Sequence, residues 1–184
     1  MDPLPSGNIL GAYWSTYYSN SSEDDQAQAG LIEVVRDTKQ VAWHMRVYGK
    51  ACDDADCNDG GSKDYGWKFY SAERFYDGPL LPTAPAHGHN ASLPSCDDGE
   101  LSFTVFNSFK QSSPATGTFT LTEPESGHVA AHGEFDFAEY WKPTVVSGVS
   151  VTFGDSNAAS KQALLNVSNS RGRHASYTLQ CTGL

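Results

Sequence analysis

Short runs of period-two alternation, each cut off by turn formers, decide what this 184-residue chain can fold into. Residues 9–18, ILGAYWSTYY, put Tyr13, Ser15 and Tyr17 on one side and Trp14, Thr16 and Tyr18 on the other, the repeat of a strand with two faces. The polar stretch SNSSEDDQAQAG then breaks the pattern. LIEVVR (31–36) and QVAWHMRVY (40–48) read as a hairpin across Asp37-Thr38-Lys39. In its second arm Val41, Trp43, Met45 and Val47 share one face, and His44, Arg46 and Tyr48 the other. Further strands are expected over 65–76, 101–109, 116–123, 128–141, 148–154, 163–168 and 175–181. The one helical competitor is 155–167, with Asp155 or Ser156 as N-cap, and at most a short helix is expected there. The 17 Gly and 9 Pro are scattered as punctuation, which suits many short strands joined by turns. The pattern predicts an all-β fold: an antiparallel β-sandwich, jelly roll or barrel of about ten strands, disulfide-stapled, in one domain. Within it, residues 1–8 read as a flexible N-terminus and 77–99 as a long irregular loop suited to a lid.

Twelve Lys and Arg stand against 22 Asp and Glu, a net charge of −10. Such a chain repels phosphate backbones and anionic membranes unless a local basic patch overrides the total. In the sequence the nearest candidate, Arg171-Gly172-Arg173-His174, is short and isolated, so neither nucleic acid nor membrane is expected as a partner. No apolar run approaches the roughly 20 residues of a spanning helix. Sequons at Asn20, Asn90 and Asn166, with an even number of cysteines, point to a secreted glycoprotein. The opening MDPLPSGN has neither a charged n-region nor an apolar h-region, and reads as the start of a mature sequence behind Met1.

Four cysteines allow three pairings. Sequence proximity and loop closure favour Cys52–Cys57 with Cys96–Cys181. The longer link would be worth roughly 4–5 kcal/mol in the chain-entropy account. C-x4-C is not the spacing of a thiol oxidoreductase. Between Cys52 and Gly60, the residues Asp54, Asp56 and Asn58 approximate the oxygen spacing of a calcium loop. Asp59 stands where that loop wants Gly, however, and Tyr65 where it wants a bidentate acid, so a solvated acidic turn is the better reading. His128, His132, Glu134 and Asp136 share one strand parity, and His87 and His89 form an HGH. Two histidines and a carboxylate suit iron or zinc. His128 and His132 lie about 13 Å apart along an extended strand, too far for one ion without a bulge, which Gly133 would mark. A solvated polar face is the preferred reading. There is no Gly-rich phosphate cradle, no G-x-S-x-G and no cysteine expected to be free, so no cofactor is expected.

Four Trp, nine Tyr and nine Phe crowd into a few strands, several with aromatics on both faces: Tyr13-Trp14-Tyr17-Tyr18, Trp67-Phe69-Tyr70 and Tyr140-Trp141. One apolar face suffices for a core. The surplus points to a ligand-lined cavity or a carbohydrate platform, with a large aromatic core as the equal alternative. The mature start, sequons, cysteines, many strands and aromatic content together resemble small secreted fungal proteins, the cofactor-free pericyclases of the hetero-Diels–Alderase kind. The resemblance is one of general character over the whole chain. It implies a pocket for a lipophilic or polyphenolic, quinone-methide-like small molecule aligned with an alkene. Orientation would lower the barrier, and donors beside an enone oxygen would add electrostatic help. Donors available for this are His44, Arg46, Tyr48, Lys68, Tyr70 and Arg74. Trp14, Tyr17, Trp67, Phe69 and Trp141 are the candidate walls. The competing readings are a carbohydrate-binding module or lectin, and a secreted structural or host-interaction protein.

Overall fold

The computed structural model describes residues 2–14, 29–47, 71–83, 91–154 and 160–183. Among these residues there is no helix, and eleven strands form two sheets, as the all-β reading requires. Length alone suggests one domain, and the chain divides into two compact units, Met1–Glu73 and Arg74–Leu184.

The N-terminal unit is an antiparallel meander of β1 (Asp2–Pro3), β2 (Ile9–Trp14), β3 (Ala29–Val34) and β4 (Val41–Val47), in that order. Residues 1–8 thus include a paired strand where a flexible terminus was expected. Gly7 makes the turn into β2 at φ 85°, a conformation that costs glycine little. The hairpin foreseen at 37–39 is present: Val35 N–H donates to the Gln40 carbonyl at 2.9 Å, and Lys39 takes φ 60°. Glu33 faces Trp43 while Val34 faces Val41, so Ala42 is bulged out and the alternation expected from 41 breaks at its start. Glu33 is buried, and Asn8 Nδ2 donates to its Oε1 at 2.7 Å, which offsets the cost of taking a carboxylate out of water.

The C-terminal unit holds β5 (Ser95–Asp97), β6 (Glu100–Val105), β7 (Ala115–Thr122), β8 (Val129–Phe137), β9 (Thr144–Ser150), β10 (Ser160–Asn169) and β11 (His174–Thr182). They form one sheet in the order β8-β7-β10-β11-β5-β6-β9. Every neighbouring pair is antiparallel except β11 with β5, where Cys181 faces Cys96 and Thr182 faces Asp97. The expected Cys96–Cys181 disulfide closes that parallel seam, with its Cα atoms 4.5 Å apart. The edge strands β8 and β9 return to one another. Thr152 N–H donates to the Ala130 carbonyl at 2.9 Å, and Ala138 N–H to Thr144 Oγ1 at 2.6 Å. The seven strands are therefore nearly a barrel.

Inward positions of these strands alternate large and small. Phe103 meets Phe119 and Phe135 edge-on, with centroids 5.4 and 6.1 Å apart, and Phe135 meets Phe137 at 4.8 Å. Gly117 and Gly133 leave room for these rings. A Cβ on Gly117 would come within 2.6 Å of Phe135 and Phe137, and one on Gly133 within 2.8 Å of Phe119. Leu101, Val105, Leu121, Leu165 and Val167 seal the rest of the core.

Several expected boundaries move. Residues 71–76 form no strand, and Leu80 bridges Phe106, so 77–99 is not uniformly irregular. Its last part is β5 and the start of a tight hairpin in which Asp98 (φ 51°) and Gly99 (φ 74°) take the left-handed pair that a two-residue turn needs. Residues 160–167 belong to β10 and not to a helix, because their inward Ala163, Leu165 and Val167 alternate with period two. β9 begins at Thr144, four residues before the expected start, and Gly148 (φ 67°) lies within its bulge against β6. Gly133 marks no bulge. The extra residue is Ala130, since Leu121 faces Ala131 and Thr122 faces Val129.

Beyond Thr152 the closure rests on Glu123. Gly154 N–H donates to its Oε1 at 2.7 Å, the Ser126 hydroxyl donates to Oε2 at 3.2 Å, and Lys161 Nζ lies 3.8 Å away. The Gly154 bond above all, with Lys161, Ser126 and His128 adding, holds the carboxyl below the ordinary value near 4.5 despite some desolvation. A depressed carboxyl contributes stability above its unfolded pKa and loses it as pH falls through the folded one. The urea midpoint should therefore fall from about pH 5 downward in the wild type and fall less steeply in Glu123→Gln. Gly133→Ala, which at an open strand site would stabilise, should instead lower stability by about 1–3 kcal/mol through overpacking against Phe119, read as a drop in melting temperature.

Candidate functional site

Two of the expected donors come together in the N-terminal unit. Gly30 lies opposite both Tyr13 and Arg46, and Ile32 lies opposite both Gly11 and His44. Directly opposed residues share a face, so Tyr13, His44 and Arg46 stand on one side of the sheet, over a floor that contains Gly11 and Gly30. Gly30 is what lets Tyr13 lie down. A Cβ on Gly30 would be 2.5 Å from the Tyr13 ring and its hydroxyl. Lying across Gly30, the phenol reaches His44 Nε2 at 2.6 Å, with ring centroids 5.8 Å apart and planes tilted by 38°. With Nε2 protonated, the imidazole donates to the phenol oxygen and leaves the phenol O–H free to donate outward. With Nε2 bare, the phenol donates to it instead. Both rings keep contact with water, since His44 is exposed and Tyr13 half-buried.

The expected donor set did not include Tyr13. Its one signal was Gly30, the last residue of the polar break before LIEVVR, where a glycine permits a close approach by a neighbour. Of the other expected residues, Trp14 ends β2 and its side chain lies outside the described residues. Tyr17, Tyr48, Trp67, Lys68, Phe69 and Tyr70 lie outside them as well. So do Asp54, Asp56 and Asn58, Cys52 and Cys57, His87 and His89, and the sequon asparagines Asn20 and Asn90.

Arg74 and Trp141 belong to the C-terminal unit. Arg74 sits 5.7 Å from the Tyr76 ring centroid, and Trp141 is buried edge-on to the same ring at 5.5 Å. Trp141 and its neighbour Tyr140 both take left-handed backbone, φ 61° and 55°, which costs bulky side chains energy that surrounding contacts must offset. Those contacts converge on a buried amide cluster. Asn169 Nδ2 donates to Asn107 Oδ1 at 3.0 Å and to Ser108 Oγ at 2.8 Å, while its Oδ1 accepts from the Arg171 and Arg173 amides. Asn107 Nδ2 donates to Gln111 Oε1 at 2.7 Å, and the Gln111 carbonyl accepts from Tyr140 N–H at 2.9 Å.

The third sequon asparagine, Asn166, lies mid-strand between β7 and β11, with its Oδ1 accepting from Ser176 Oγ at 2.6 Å. Because of the Ala130 bulge, His128 departs from the parity expected of it. Its Nε2 donates to the Thr152 carbonyl at 3.0 Å, while His132, Glu134 and Asp136 remain exposed on the outer face. Among the described residues no three His, Cys, Asp or Glu are grouped to hold a metal.

Asn169→Ala removes two donors and an acceptor from the buried amide cluster. It should cost about 2–3 kcal/mol in urea unfolding, well above the effect of an exposed Asn. No family model matches the chain, and no curated protein matches it.

Proposed function

We propose that the chain is a secreted small-molecule-binding protein that acts on an apolar, oxygen-bearing ligand at the Tyr13–His44–Arg46 face, as a cofactor-independent cyclase of the hetero-Diels–Alder type. The observation that carries this reading is the 2.6 Å bond between Tyr13 and His44, made by a phenol laid across Gly30. Such a cycloaddition redistributes electrons around a ring without transferring a proton, so it calls for no base and no cofactor. It calls for alignment of two unsaturated groups and for polarisation of the heterodiene oxygen. A phenol O–H backed by an imidazole N–H supplies that polarisation, because each hydrogen bond in the chain strengthens the next. Arg46, on the same face, adds a second, charged donor for the same oxygen. Secretion is supported by the Cys96–Cys181 disulfide, which suits an oxidising compartment, and by the sequons.

Native mass spectrometry of the purified protein with lipid-like and polyphenolic extracts tests this. The expected result is retention of a lipophilic compound and its conversion to a mass-neutral isomer or an adduct. Tyr13→Phe should keep the ligand bound but slow conversion by about a hundredfold, the usual effect of deleting one donor aimed at developing charge. Binding confined to oligosaccharides, or a Tyr13→Phe variant as fast as the wild type, would sink the proposal.

A further inference from the structure

The fold sorts the charges of the C-terminal unit in a way that its composition conceals. Strands β6, β8 and β10 run out, and β7, β9 and β11 begin, at one end of the near-barrel. Four separate stretches meet there: 74–77, 107–111, 138–142 and 169–173. Tyr76 N–H donates to the Ser108 carbonyl, Tyr140 N–H to that of Gln111, and Asn169 binds both Asn107 and Ser108. Together they carry Arg74, Lys110, Lys142, Arg171 and Arg173, five of the chain's twelve basic residues, against two carboxylates, Asp77 and Glu139. At the opposite end the balance reverses, with Asp97, Asp98, Glu100, Glu123 and Glu125 facing one described cation, Lys161. The unit is therefore a dipole along its own axis inside a chain of net charge −10.

Apolar surface breaks through at the cationic end. Phe75 is 63% exposed and Tyr140 48% exposed. Both are held from below, Phe75 by its neighbour Tyr76 and Tyr140 by its neighbour Trp141, whose rings pack edge to face. Arg171 stacks its guanidinium 3.6 Å from the centroid of the buried Phe109 ring, which fixes its orientation while leaving the residue exposed. Lys142 and Arg173, at the same end of the unit, are exposed as well. An exposed Phe has no polar handle for a sugar or a base. At an end of the unit that carries five cations and an exposed Tyr, it matches the boundary between acyl chains and anionic headgroups.

We infer that this end of the C-terminal unit docks on an anionic lipid surface. Phe75 enters the headgroup layer, Tyr140 sits at its level, and Lys142, Arg171 and Arg173 meet the headgroups. The dipole brings this end forward and turns the acidic end away, which is how a strongly acidic chain approaches a surface that should repel it.

Sedimentation of the full chain with vesicles of phosphatidylserine in phosphatidylcholine, against phosphatidylcholine alone, decides the matter. Binding should require the anionic lipid and should be lost between about 0.05 and 0.5 M salt as the screening length shrinks. Lys142→Ala with Arg173→Ala leaves the Phe109 stack intact and should weaken binding about thirtyfold, at about 1 kcal/mol per cation. Phe75→Ser should weaken it about tenfold, and Glu125→Gln at the far end should leave it unchanged, with melting temperatures confirming that each variant folds. Equal binding to neutral vesicles would overturn the inference. So would no binding at all, unaltered binding by the double variant, or capture by a sulfated polysaccharide or single-stranded oligonucleotide without vesicle binding.

Discussion

Parallel pairing of β11 with β5 extends over only two residue pairs, Cys181 with Cys96 and Thr182 with Asp97, and the disulfide lies within that ladder. Among the described residues, strands β5, β6 and β9 have no other laddered connection to β10, β7 and β8. A two-pair parallel seam is weak by itself, because parallel bonds are slanted and so short a ladder supplies few of them. The bridge converts the seam into a covalent joint. Its surroundings then add what hydrogen bonds they can: Asp98 N–H to the Thr182 carbonyl at 2.9 Å, and Thr182 Oγ1 to Asp97 Oδ1 at 2.8 Å. Both cysteines are fully buried, so the joint belongs to the core that it helps to close.

On the other side the sheet closes without a ladder, by pins at its two ends. The pin at Thr152 and Ala130 depends on a bulge that turns the Ala130 carbonyl toward β9, and Glu123 secures the segment beyond it. The pin at Ala138 and Thr144 sits beside the strained Tyr140–Trp141 pair, and burial of Trp141 against Tyr76 offsets that strain. The buried amides of Asn107 and Asn169 fasten two loops to each other at that end, and the Gln111 carbonyl ties in a third through Tyr140 N–H. Hydrogen bonds and buried rings there do the fastening that an unbroken strand pairing does elsewhere.

The strands were legible because one face of each had to be apolar, and the period-two signal survives in β7, β10 and β11 almost to the residue. What the sequence obscured has identifiable causes. β5 is three residues long, too short for a period, although the Asp98-Gly99 dipeptide that follows it is a two-residue hairpin signal. Residues 71–76 carry aromatics at strand spacing, but the backbone bond from Tyr76 to Ser108 ties them to a loop and not to a ladder. The parity that placed His128 with His132 failed because a bulge is a matter of register, and register is set by a partner strand. The candidate site was half legible. His44 and Arg46 followed from alternation, while Tyr13 joined them only through the glycine opposite it.

Glycine and charge show the same limit from two directions. Gly30 reads in sequence as the end of a polar break, Gly117 as part of a strand and Gly133 as the mark of a bulge, and each is space into which aromatic rings fit. Arg171 and Arg173 read as an isolated basic pair, and their neighbours Arg74, Lys110 and Lys142 are separated from them by about thirty to a hundred residues of chain. In both cases the meaning of a residue lies in what the topology places across from it. Net charge sums over the whole chain and is blind to that placement. An electric field weights each charge by its distance, so within the C-terminal unit the five cations set the sign near the end where β6, β8 and β10 terminate.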